Sequence, residues 1–194
     1  YFAREDKQLA LTQFERAITQ APAVLPSDAY TRLAHTAFTL GKSVEPILRT
    51  ALASDPESRE LNMLLGVSAY LSDDPQNREA GDKRVQEALQ SSQDDELGHD
   101  TAVAFSNLAA FYVETTDYQR AIHLCRRALD YRSDHAPALV NLGSALYQSG
   151  ETDKALEIFR KLLKVQPNSW KAALGLAQSY QRLGKINEAI IAYK

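Results

Sequence analysis

APALVNLGSALYQSGETDKALEIFRKLLKVQPNS, residues 136–169, is the stretch whose reading decides the fold. Within it Leu139, Leu142, Gly143, Ala145 and Leu146 recur at the three-and-four spacing of one helical face, and Ala155, Phe159, Leu162 and Leu163 do so in a second segment. Gly150 separates the two, because glycine enters the left-handed conformation that ends a helix without steric cost. Thr152 and Asp153 suit the start of the next helix, and Pro167 follows its end. Two short antiparallel helices and two turns therefore account for all 34 residues. Gly143 and Ala155 fall where the pair must come close, and leucine at either would hold the helices apart.

The same unit returns along the chain. Phe105, Leu108, Ala109, Tyr112, Ala121, Cys125, Ala128 and Leu129 repeat its slots between residues 102 and 135. Leu61, Leu65, Gly66 and Ala69, then Ala80, Gly81, Val85, Ala88 and Leu89, do so with a longer turn at Ser72–Asn77. Tyr30, Leu33, Ala34 and Ala37 open an earlier unit that Gly41 divides, with Ser43 as a cap and Pro46 tolerated in the first helical turn. Ala10, Phe14, Ala17, Ile18 and Pro22 read as a second helix, which puts Glu5 and Asp6 in a turn and Phe2 near the end of a preceding helix.

The combination Leu142-Gly143, Ala155, Phe159, Leu162 and Pro167 at this period resembles the tetratricopeptide repeat, with Leu139 in that family's tryptophan slot and Leu146 in its tyrosine slot. The resemblance implies an all-α, right-handed superhelical solenoid of antiparallel helix pairs. The chain then divides into a partial repeat at 1–24, repeats at about 25–58, 59–101, 102–135 and 136–169, and a partial repeat at 170–194. It forms a single solenoid, and the open repeat ends leave a homo-oligomer as one way of covering them.

Composition narrows the function classes. Twenty-two basic residues against 25 acidic ones give a net charge of −3, without the basic surface that nucleic acid demands. A lone cysteine, Cys125, forms no internal disulfide, and its place in the Phe159 slot makes it a core residue. No apolar run reaches the roughly 20 residues of a membrane span, and YFAREDKQ lacks a signal-peptide pattern; a cytoplasmic and a periplasmic setting both remain open. No nucleophile elbow, phosphate loop, HExxH or CxxC motif occurs. His35, His99, His123 and His135 are scattered without ligand spacing, so no metal, cofactor or catalytic residue is expected. The acidic stretch Asp94–Asp100 reads either as a partner-docking loop or as a solvated insertion.

In the tetratricopeptide family the first helix of each pair lines a concave groove, and the phase of each first helix names its outward residues. Phe38, Tyr70 and Tyr147 form an aromatic row, Met63 marks an apolar wall with Leu64 and Val67, and Asn107 and Asn141 occupy equivalent slots. The same phase gives Pro137, Val140, Ser144 and Gln148 in one repeat and Lys171, Leu174, Gly175, Gln178, Gln181 and Arg182 in the last. Aromatic rings make effective contact anchors because they bury much area at little entropic cost. Partner-binding residues are therefore expected at Phe38, Met63, Tyr70, Asn107, Asn141, Tyr147 and Lys171. Chaperone-binding members hold a C-terminal carboxylate through five polar slots, here Ser106, Ala110, Asn141, Lys171 and Gly175. Only Asn141 and Lys171 match, so that role is not expected. The expected function is a non-catalytic scaffold that binds a protein or peptide. The alternatives are a substrate-recruiting arm of an enzyme such as a glycosyltransferase, and a bacterial envelope-assembly or exopolysaccharide-export scaffold.

Overall fold

The computed structural model describes residues 2–20, 27–90 and 95–193. These residues form eleven α-helices and no strand: α1 (Phe2–Gln20), α2 (Ser27–Thr39), α3 (Glu45–Ser54), α4 (Arg59–Ser68), α5 (Pro75–Gln90), α6 (Asp95–Glu114), α7 (Tyr118–Tyr131), α8 (Ala136–Gln148), α9 (Thr152–Val165), α10 (Trp170–Arg182) and α11 (Ile186–Ala192). They gather into two compact units, residues 1–108 and 109–194, with the boundary inside α6.

In the first unit α4 packs on α2, α3 and α5. Its apolar residues run round the whole circumference, as suits a helix without a solvent face, and Leu61, Met63, Leu64, Leu65 and Val67 are all buried. Gly66 and Gly81 are where α4 and α5 touch: a Cβ on either would lie 2.5–2.7 Å from the other's carbonyl oxygen, so any side chain would part the helices. Pro46 sits in the first turn of α3, as the sequence predicts, whereas the N-cap is Val44 and not Ser43, whose Oγ accepts from the Glu45 amide at 3.3 Å one residue before the cap.

Three boundaries differ from expectation. Helix α1 continues through Glu5 and Asp6, where a turn was expected; no glycine or proline interrupts it, and Leu11 rather than the exposed Ala10 faces inward. Pro22 lies outside the described residues, as do the side chains of Phe2, Ala17 and Ile18. Helix α5 starts at Pro75, so the turn before it is short. A single 3-10 turn (Ala69–Leu71) ends at Ser72, whose Oγ accepts from the Asp74 amide at 3.1 Å, and Asp74 Oδ1 caps the Gln76 amide at 2.9 Å. Finally, residues 95–100 are helical. Leu97, Thr101, Ala104, Phe105 and Leu108 continue the three-and-four spacing of α6 toward its N-terminus, all buried, and Thr101 Oγ1 donates to the Leu97 carbonyl at 2.7 Å. Six of the seven residues of the acidic stretch Asp94–Asp100 are thus the start of a 20-residue helix.

In the second unit each of α7 to α11 packs on the next, and α10 also packs on α8. Ala136, Leu139, Leu162 and Ala172 form a core cluster that Val140, Ile158, Leu163 and Val165 surround. The helix ends follow one device: Gly150 and Gly184 have φ of 88° and 74°, and the following amides return to carbonyls five residues back, Glu151 to Leu146 and Lys185 to Tyr180, both at 2.9 Å. One period before Gly150 the same left-handed position holds Thr116, with φ 64°. Cys125 is fully buried in the core slot assigned to it, and burial pushes its thiol well above the usual range.

Candidate partner-binding site

Phe159 on α9 is the foundation of the site. Its ring reaches between α8 and α10, where glycine leaves room on both sides. A Cβ at Gly143 would lie 2.6 Å from the ring and one at Gly175 only 2.3 Å. Above that ring α8 and α10 leave a recess of about 310 Å³ within the second unit. Helix α8 contributes Val140, Ser144, Tyr147 and Gln148, which share one face at intervals of three and four. Helix α10 contributes Trp170, Lys171, Leu174, Gly175 and Gln178. All of these except Trp170 and the Phe159 floor are outward residues of the predicted first-helix phase.

The walls are aromatic and the rim carries cations. Trp170 is 68% exposed and Leu174 39% exposed, so both present apolar surface at one opening, while Tyr147 is half-buried. Arg182 stacks over the Tyr147 ring at 3.6 Å from its centroid, and its Nη1 donates to the Tyr147 carbonyl. That double contact fixes the tyrosine as a wall of the recess and engages the guanidinium. Lys171 Nζ lies 5.8 Å from the Trp170 ring centroid and makes no ion pair among the described residues. No carboxylate lines the recess; the remaining polar groups are Ser144 and the amides of Gln148 and Gln178. The arrangement offers an apolar seat, a positive point charge and amide donors and acceptors.

Tyr147 and Lys171 are thus brought together. Asn141 and Asn107 are half-buried on α8 and α6 and do not line the recess. Phe38, Met63 and Tyr70 are corrected: all three are core residues of the first unit, Phe38 and Met63 with no exposed surface, Tyr70 packed edge-on to Phe105 at 5.3 Å between ring centroids. Phe105 of α6 therefore lies against Tyr70, which the phase had assigned to a groove. Burial, with a smaller contribution from His99, pushes His35 on α2 down to about 4. Among the described residues no cluster of three or more His, Cys, Asp or Glu side chains is arranged to hold a metal.

The sequence pattern places Phe159 on a packing face and not at a site, and it marks neither Trp170 nor the stacking of Arg182 on Tyr147. Arg182 follows Tyr147 by 35 residues, one period plus one, a spacing at which adjacent first helices place side chains together. Trp170, the chain's one tryptophan, opens the partial repeat at 170–194, one residue ahead of Lys171, the first outward residue of that phase.

Two family models, each described as a tetratricopeptide repeat, match residues 100–168 and 146–194. The small glutamine-rich tetratricopeptide repeat-containing protein 2 of Mycosarcoma maydis is 32% identical over 88 residues, 45% of this chain. Residues 100–194 of the chain are a tetratricopeptide repeat array. The matched segment spans about a quarter of that curated relative's length. Two crystal structures of MamA share the fold of this chain. One has a TM-score of 0.53 and 23% identity over 77% of this chain and 76% of that one. The other has 0.56 and 21%, over 87% and 91%. The family matches contain every residue of the recess. No helix among the described residues is long and apolar enough to cross a membrane.

Proposed function

We propose that this tetratricopeptide repeat protein is a non-catalytic interaction scaffold, and that the recess between α8 and α10 captures a segment of a protein partner. The observation that carries the reading is the exposed apolar opening formed by Trp170 and Leu174 beside Tyr147. Such surface costs free energy in water and is recovered when a partner covers it. Aromatic side chains that keep a fixed position before binding lose little entropy on contact, and Arg182 holds Tyr147 in this way. The recess contains no nucleophile beside a base and no acid–base pair, which supports binding without chemistry.

The test is paired substitution. Tyr147→Ala and Trp170→Ala each weaken partner capture by about tenfold, the effect of removing one aromatic anchor. Far-UV circular dichroism and the melting temperature stay close to those of the parent for Trp170→Ala, whose side chain is largely solvated. Undiminished capture by both variants overturns the proposal.

A further inference from the structure

Resting on that assignment of the recess, we infer that its occupant is an internal acidic segment of a protein: an apolar or aromatic side chain seated among Tyr147, Trp170 and Leu174, with an aspartate or glutamate within two residues of it on Lys171. Three features of the recess lead there.

The first is charge. Lys171 is exposed and without an ion pair among the described residues, and the lining supplies no carboxylate, so an acidic group entering the recess meets attraction and no repulsion. A basic group meets the opposite. The second is the number of cations. A chain-terminal carboxylate needs several converging donors to replace its hydration. Here a single lysine is available, Gly175 stands one turn along α10 from it, and the neighbouring guanidinium of Arg182 is engaged on the Tyr147 ring and carbonyl. One ammonium with three rotatable donors suits one acidic side chain approaching from varied directions, and it demands no chain end. The third is size. A recess of about 310 Å³ accepts one large side chain rather than the face of a helix. An extended segment leaves its backbone amides and carbonyls unpaired. The Gln148 and Gln178 amides, one from each helix, are placed to pair with such a backbone.

The experiment uses the full chain to select from a displayed library of randomised eight-residue peptides flanked on both sides by fixed linker, so that no insert has a free terminus. The expected enrichment is an acid within two residues of Trp, Phe, Tyr or Leu. With Lys171→Glu the acid is replaced by Lys or Arg at the same offset. With Trp170→Ala the apolar requirement relaxes and the acid is retained. An enriched peptide binds Lys171→Gln about five- to tenfold more weakly than the parent, the loss of one partly solvated charge-assisted bond. Its amidated and free-carboxyl forms bind alike. Enriched peptides without an acid, the same acidic set on Lys171→Glu, or a preference for the free carboxyl overturns the inference. A selection that enriches nothing also overturns it; the recess assignment then stands or falls separately, on whether Tyr147→Ala and Trp170→Ala still capture partner.

Discussion

Gly175→Ala adds one methyl group, and the structure determines where it goes. The new Cβ would lie 2.3 Å from Cζ of Phe159 and 2.5 Å from both Cε atoms, whereas carbon atoms in contact prefer about 3.5–4 Å. The ring must therefore move by roughly 1 Å. It cannot move freely, because Phe159 is buried and its opposite side meets Gly143, where an added Cβ would stand only 2.6 Å away. Overpacking of this kind costs about 1–3 kcal/mol. Replacing glycine by alanine inside a helix returns up to about 1 kcal/mol of that. The expected net destabilisation is up to about 2 kcal/mol, which at this chain length lowers the melting temperature by about 2–4 °C per kcal/mol. Urea unfolding followed by far-UV circular dichroism measures the loss, since the chain's one tryptophan, Trp170, is already largely solvated in the fold. The decisive comparison is a double-mutant cycle with Phe159→Leu. In the smaller background Gly175→Ala becomes neutral or stabilising, giving a coupling of at least about 1 kcal/mol. A variant as stable as the parent, with coupling below about 0.5 kcal/mol, would refute the packing argument.

Thr116→Gly removes a β-branched residue from the left-handed conformation that Gly150 occupies one period later, and stabilises the second unit by about 1 kcal/mol in urea unfolding. The gain is limited by the greater freedom of glycine in the unfolded chain. His35 makes the first unit sensitive to acid. Its folded value is pushed down to about 4 from the ordinary 6.5, so the unfolded chain binds the proton more readily, and stability falls as pH drops from 6.5 toward 4. The slope is at most about 1.4 kcal/mol per pH unit. His35→Gln flattens it in melts across that range, and an unchanged slope would assign the acid sensitivity elsewhere.

The repeat was legible because its signals are local. Gly41, Gly150 and Gly184 end helices where the period puts them, and Gly143 and Gly175 leave room for one aromatic ring. The recess was largely legible too, since its lining follows from the phase of two neighbouring first helices, α8 and α10. Phe38, Met63 and Tyr70 share an equivalent phase but are buried, because exposure depends on what else lies against the face. At Tyr70 that includes the ring of Phe105 on α6, from the following repeat. The start of α6 was hidden by composition: SSQDDELGHD, residues 91–100, reads as polar, and the buried Leu97 and Thr101 that continue the helical spacing are only two residues within and beside it. Trp170 was missed for a related reason, since a repeat boundary says nothing of which side chains overhang it.

The recess is tested most directly by a photo-cross-linking side chain placed at Leu174, with a second placed at the exposed Glu157 on α9 as the control. Irradiation of the full chain with its native extract should label one discrete partner from position 174, with labelling suppressed by Tyr147→Ala and absent from position 157. Equal labelling from 157, or labelling from 174 that Tyr147→Ala leaves intact, would contradict the assignment of this recess as the binding site.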